Sequence, residues 1–137
     1  MKEEVLFPRP LVNQLLHQAQ ISPQREICGL IGARHEIPVS IYPVKNIADL
    51  PALRFRMDPA EQIQAIRQIR ENHEDLFAIY HSHPSAPAEP SLSDLEQVGY
   101  PDLLQIIISL NTKGVLEMRA FQYGARGVTG EVVIGLV

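Results

Sequence analysis

The sequence predicts a mixed α/β domain, a central sheet with helices packed on its faces. Three observations point there. Amphipathic stretches at helical spacing are interleaved with short apolar runs rich in β-branched and aromatic residues. Proline and glycine bound those runs, as turn residues do between strands. No internal repeat, low-complexity segment or glycine-serine linker divides the 137 residues, so 1–137 reads as one domain.

The elements follow in order. "PRPLVNQLLHQAQIS" (8–22) carries Leu11, Leu15 and Leu16 at helical spacing and predicts a first amphipathic helix. "EICGLIGAR" (26–34) reads as a short buried strand and "EIPVSIYPV" (36–44) as a second, proline-marked one. "PALRFRMD" holds a short extended piece. "DPAEQIQAIRQIRENH" (58–73) then has a helix signature, with Asp58 as N-cap, Pro59 at N1, Glu61 at N3, and Ile63, Ile66 and Ile69 or Arg70 in register. "LFAIYHSH" (76–83) is a strand halted by Pro84, which has no amide proton to offer a ladder. "SLSDLEQVGYP" (91–101) looks like a short capped helix. "LLQIIISL", "VLEMRAFQY" and "VTGEVVIGLV" give three more strands, split by the turns "NTKG" and "GARG". The final run is either a core strand or a pairing edge.

Composition narrows the function. Hydrophobic residues make up 45% and charged residues 20%, an ordinary globular balance. A chain of this length buries roughly two-thirds of its unfolded surface, enough for a core without disulfides. The net charge of −4 provides no basic footprint for a phosphate backbone, so nucleic acid is not an expected partner. Cys28 is the only cysteine, which fits a reducing compartment. The opening "MKEEVLFPRP" lacks the apolar run of a secretory signal, and no stretch is long and apolar enough to span a membrane. A cytoplasmic location, with no membrane partner, is the expectation.

"HSHPSAPAEPSLSD" (81–94) carries the chemistry. Residues i and i+2 of a strand face the same way, so His81 and His83 present two imidazoles side by side where the strand stops. Neutral imidazole is a favoured zinc ligand, and a catalytic site takes three protein ligands and leaves a fourth position for water. Asp94 is the third candidate. With Ser91 as N-cap it stands at N3 of a short helix, where the helix N-terminus favours its charged form. A carboxylate is still needed to move protons, and Glu26, opening "EICGLIG", is placed to supply one. Each piece has a plainer reading by itself: a histidine pair on an exposed strand end, a capping pair at Ser91 and Asp94, a surface glutamate. Their conjunction in one run favours the site. Cys28 as a nucleophile is disfavoured by its apolar strand, Glu89 reads as solvated, and His17, His35 and His73 read as surface residues without ligand-spaced partners.

The same stretch resembles the His-x-His-Pro, six residues, Ser-x-x-Asp pattern of the JAMM/MPN+ metalloproteases, the JAB domain, at every signature position. "EICGLIG" is similar to that family's Glu-x-Cys-Gly-Leu element, and "FRMDPAEQ" to its Phe-x-x-Asp-Pro segment before a helix. The resemblance implies an α/β fold similar to cytidine deaminases, a mixed sheet with helices on its faces, holding Zn2+ and cleaving peptide or isopeptide bonds. It implies His81, His83 and Asp94 as metal ligands, Glu26 as catalytic acid/base and Ser91 as a catalytic hydroxyl that helps hold the oxyanion. The compact chain is similar to small stand-alone bacterial-type members, which implies a ubiquitin-like or sulfur-carrier protein partner. The bond cut would follow its C-terminal di-glycine, which in some members of this kind liberates cysteine. Two other classes compete: a RadC-like DNA-associated protein and a non-catalytic MPN-type scaffold. The acidic balance, the serine between the histidines and the Glu26 element favour the protease over the first. The complete ligand set favours it over the second.

Overall fold

A computed structural model describes residues 3–96, 102–111, 116–124 and 127–137. The elements run β1 (Glu4–Phe7), α1 (Arg9–Gln20), β2 (Cys28–Arg34), β3 (Ile37–Val44), α2 (Pro59–Glu71), β4 (Asp75–His83), α3 (Leu92–Glu96), β5 (Leu104–Ser109), β6 (Glu117–Gly124) and β7 (Gly127–Leu136). Among the described residues the strands form one seven-stranded sheet in the order β1-β7-β6-β5-β4-β2-β3. The sheet is mixed: β4 with β5 and β1 with β7 are parallel, and the other pairs are antiparallel. No described helix is long and apolar enough to cross a membrane.

Alternation along the strands splits the core in two. On one face Ile31, Ala78, Tyr80, Ile106 and Ile108 pack with Leu11, Leu15 and Ala19 of α1 and with Val5 and Phe7. On the other, Cys28, Leu30 and Ile79 pack with Ala65 and Ile69 of α2. Ile107, Phe121 and Tyr123 form a third cluster with Ala88 of the segment after β4. The β2–β3 hairpin turns through His35 and Glu36, at φ 51° and 66°, whose left-handed backbone matches strand twist.

Several expectations shift. Strand β1 was not anticipated, although Val5 and Phe7 are buried and alternate with exposed Glu4 and Leu6 before Pro8 ends the run. Of the two readings of the final run, the interior strand holds and the edge does not: β7 lies between β6 and β1, with Val132 buried and Val133 61% exposed. Asp58 stands at the N-cap of α2 without a side-chain cap bond. Its amide instead donates to the Lys45 carbonyl at 3.0 Å, and the Lys45 amide donates to Glu61 at 2.8 Å, so the helix start is tied to the end of β3. In α2 the buried stripe is Ala65 and Ile69, and Ile63 is 58% exposed. Two residues from Ala65, it points nearly the opposite way on a helix of 3.6 residues per turn. "PALRFRMD" is a turn at its start, and its one ladder contact is a bridge between Met57 and Asn46. The expected helix beyond Glu96, and most of the "NTKG" and "GARG" turns, lie outside the described residues.

Candidate metal centre

Strand β4 ends in His81-Ser82-His83, and the two histidines share the face that carries Ile79. Both are buried, at 1% and 2% exposure. The chain then turns at Pro84 and returns through α3, whose first turn brings Asp94 back to the strand end. Asp94 Oδ2 lies 3.1 Å from His81 Nε2 and 3.1 Å from His83 Nε2, and the two ring nitrogens are 3.2 Å apart. A tetrahedral ion with ligand bonds of about 2.0–2.1 Å sets its donors about 3.3–3.4 Å apart, so this triangle has the size of one face of such a site. Two imidazole nitrogens and a carboxylate also suit the chemistry of zinc.

The orientation of each donor has a cause. His83 Nδ1 sits 2.8 Å from the Pro87 carbonyl, which can only accept, so Nδ1 carries the proton and a neutral ring turns a lone pair at Nε2 to the triangle. The Phe55 ring stacks on His81 with centroids 4.4 Å apart, packing the imidazole from one side. Asp94 and Ser91 form a reciprocal cap: the Asp94 amide donates to Ser91 Oγ at 3.0 Å and the Ser91 amide donates to Asp94 Oδ2 at 2.9 Å. The sequence places that cap correctly.

Glu26 lies just before β2 and is 2% exposed, which overturns the reading of a surface glutamate. One donor atom from each of Glu26, His81, His83 and Asp94 lies within 4.8 Å of every other. Among the described residues, Glu26 Oε1 and His81 Nδ1 are buried without a hydrogen-bond partner. A cleft of about 50 Å³ is lined by Glu26, His83 and Ser91, with Leu53 and Ser85 at its walls. The larger groove of about 570 Å³ between β3 and α2 includes none of these four clustered residues.

Burial and charge set the protonation. Burial pushes the Glu26 carboxyl up to about 8, with the His83 charge opposing and Asp94 adding. Burial also acts to raise Asp94, but hydrogen bonds from the His81 and His83 rings hold it well below the usual carboxylate range. Burial lowers His81 despite its Asp94 partner. For His83 burial acts the same way, yet Asp94 and the Pro87 carbonyl outweigh it and the net shift is upward.

The other sequence candidates supply no donor to the cluster. Cys28 is fully buried and its thiol donates to the Val44 carbonyl at 3.3 Å. His17, His35 and His73 are exposed. Glu89 is exposed and lies 3.4 Å from Arg119. Sequence reasoning missed Phe55 in its contact role, as well as Asn46 and Ser82, whose hydrogen bonds frame Glu26. The only available hints were Phe55 in "FRMDPAEQ" and a serine between two histidines.

Known proteins are similar to this chain in sequence and fold. A 29% identical stretch of 89 residues is shared with a desampylase of Haloferax volcanii and covers 64% of each chain. A CysO-cysteine peptidase of Mycobacterium tuberculosis is 28% identical over 125 residues, 90% of this chain and 85% of that one. The solution structure of a Desulfitobacterium hafniense protein superposes with a TM-score of 0.86 at 30% identity, covering 97% of this chain and 92% of the other. The profile described as "Prokaryotic homologs of the JAB domain" matches residues 8–122. The chain belongs to this prokaryotic JAB-domain family.

Proposed function

We propose that this protein is a zinc metallopeptidase that hydrolyses the amide bond after the C-terminal di-glycine of a small ubiquitin-like or sulfur-carrier protein. One observation carries the reading: a buried, metal-sized triangle of His81, His83 and Asp94 stands within 4.8 Å of a Glu26 carboxylate that shares a cleft with His83. The names of its relatives support the substrate class, one a desampylase and another a CysO-cysteine peptidase. The complete donor set supports an enzyme over a scaffold that has lost its ligands.

His81 Nε2, His83 Nε2 and an Asp94 carboxylate oxygen would hold the metal. The chemistry supplied by zinc at these residues would be a bound water with its pKa lowered to about 7 and a polarised carbonyl. Glu26 takes the proton of the attacking water on its carboxylate and hands it to the departing amine. A divalent cation at the triangle would favour the ionised form that this task needs, against the burial that raises Glu26. The Ser91 hydroxyl, which accepts the Asp94 amide, keeps its own proton to donate to the carbonyl oxygen as negative charge builds there. Three of these groups, Glu26, His83 and Ser91, line one cleft, so substrate, base and oxyanion donor meet there.

The test is mass spectrometry of candidate carrier proteins, each extended beyond its di-glycine end, after incubation with the zinc-loaded protein. A carrier ending at the second glycine, together with the released extension, is the expected product pair. Cleavage at scattered internal bonds, or none in any carrier, would overturn the reading. The chain is proposed to act through a single domain in a cytoplasmic setting.

A further inference from the structure

We infer that Ser82 and Asn46 are positioning residues that fix the peptide carrying Glu26 against the strand carrying both histidines. The inference rests on the assignment of Glu26 as the acid/base. None of the described hydrogen bonds reaches the Glu26 carboxylate, and its Oε1 is buried without a partner among the described residues. That suits a group that must pick up a proton and release it, because a carboxylate pinned by donors holds its charge too well. It also means that the position of the carboxylate is set by its backbone.

That backbone is tied at four successive points. The Glu26 amide donates to the Pro51 carbonyl at 2.7 Å, and the Glu26 carbonyl accepts from Asn46 Nδ2 at 3.0 Å. The Ile27 amide donates to Ser82 Oγ at 2.9 Å, and the Ile27 carbonyl accepts from the Ser82 amide at 3.0 Å. Ser82 thus uses side chain and main chain together to clamp one residue next to Glu26. It is fully buried and lies between His81 and His83, so its side chain points to the face of β4 opposite theirs. Contact with a substrate at the metal face is excluded by that direction.

Asn46 completes the frame. It is 6% exposed and spends its whole amide on backbone groups. Nδ2 donates to the carbonyls of Glu26 and Arg54, at 3.0 and 3.1 Å. Oδ1 accepts from the amides of Ala48 and Arg56, at 2.9 and 3.0 Å. Between Arg54 and Arg56 stands Phe55, the ring stacked on His81. A closed circuit results, from Glu26 through Asn46 to Phe55 and His81, then through Ser82 and Ile27 back to Glu26. Reacting groups misplaced by about 1 Å lose on the order of 10²-fold in rate, so loosening either tie should appear in kcat.

The test compares Ser82→Ala and Asn46→Asp with Tyr42→Phe, which removes a hydrogen bond to Glu74 far from the centre. Both frame variants should keep wild-type zinc content and nearly unchanged KM, while kcat falls by about tenfold or more. Tyr42→Phe should lower the melting temperature without moving kcat. In metal-free protein, amide exchange at Ile27 should speed up by about tenfold in Ser82→Ala relative to the amides of β5. A folded frame variant with wild-type kcat, or a loss of kcat that only follows lost zinc, overturns the inference. Should Ser82→Ala fail to fold, Asn46→Asp decides on the same readings. Should the wild-type protein cleave no carrier, the proposed function falls, and Ile27 protection unchanged in Ser82→Ala overturns the frame separately.

Discussion

Ser91 and Asp94 hold each other by two reciprocal hydrogen bonds of 3.0 and 2.9 Å, and the Asp94 oxygen in that pair also faces both histidine nitrogens at 3.1 Å. A helix cap and a metal ligand are therefore one structure. Asp94 stands in the first turn of α3, so the cap takes a direct part in placing the carboxylate.

Ser91→Ala removes the cap acceptor and should cost about 1 kcal/mol of stability. It should also weaken zinc, since Asp94 loses one of the bonds that orient it. Ser91→Thr keeps the hydroxyl and should restore metal retention. Competition with a chromogenic chelator measures both effects. Zinc held equally tightly by Ser91→Ala and wild type would separate the cap from the metal site.

His81→Ala, His83→Ala and Asp94→Ala should each release zinc or weaken it strongly. Three protein ligands leave one position for water, and two are too few for stable binding. Elemental analysis of the three purified variants checks this. Zinc unchanged in all three would remove the triangle from consideration.

Glu26→Gln preserves shape and removes the proton acceptor. Fold and zinc content should stay, while turnover falls by roughly 10²–10⁴-fold. The combination matters, because a ligand role for Glu26 would lower zinc along with turnover. Near-normal turnover would move the acid/base role elsewhere, and the exposed Glu89 would be tested next.

How much of this was legible depended on how far apart the interacting residues are in sequence. His81, His83, Ser91 and Asp94 sit within fourteen residues, and their geometry follows from strand period and helix capping, two local rules. Glu26 was legible through its place before an apolar run, but its burial was not, because Pro51, Asn46 and Ser82 enclose its peptide from other segments. The mixed sheet and both long helices could be anticipated from periodicity. The parallel pairing of β1 with β7 could not, since it joins Glu4 to Val133 and no local pattern encodes a partner at that distance. The exposed Ile63 misled the register of α2 for a related reason: tertiary packing selected Ala65 and Ile69 as the buried stripe.

Cys28 should be inert in the native protein. Burial raises its thiol to about 12, the Glu26 charge adds to that, and the sulfur donates to the Val44 carbonyl. The thiolate is the reactive form, so iodoacetamide at pH near 8 should leave Cys28 unmodified until the chain is unfolded. Cys28→Ala should retain turnover. Rapid native labelling with loss of activity would revive a cysteine nucleophile.

The last prediction concerns what enters the cleft. A narrow cleft of about 50 Å³ between Glu26, His83, Ser91 and Leu53 favours a small residue beside the reacting carbonyl. Glycine has no side chain to obstruct such an approach, and a flexible di-glycine tail can lie extended across the end of β4. Substituting the final glycine of the carrier with a bulky residue should therefore cut turnover sharply. Changing the residue beyond the cut bond should matter less, because the leaving amine departs from the cleft. A strong chelator should stop the cleavage, and restored zinc should return it. Steady-state rates on matched glycine and leucine versions of one carrier measure the effect. Equal rates would count against the di-glycine tail and point to a general peptidase using the same centre.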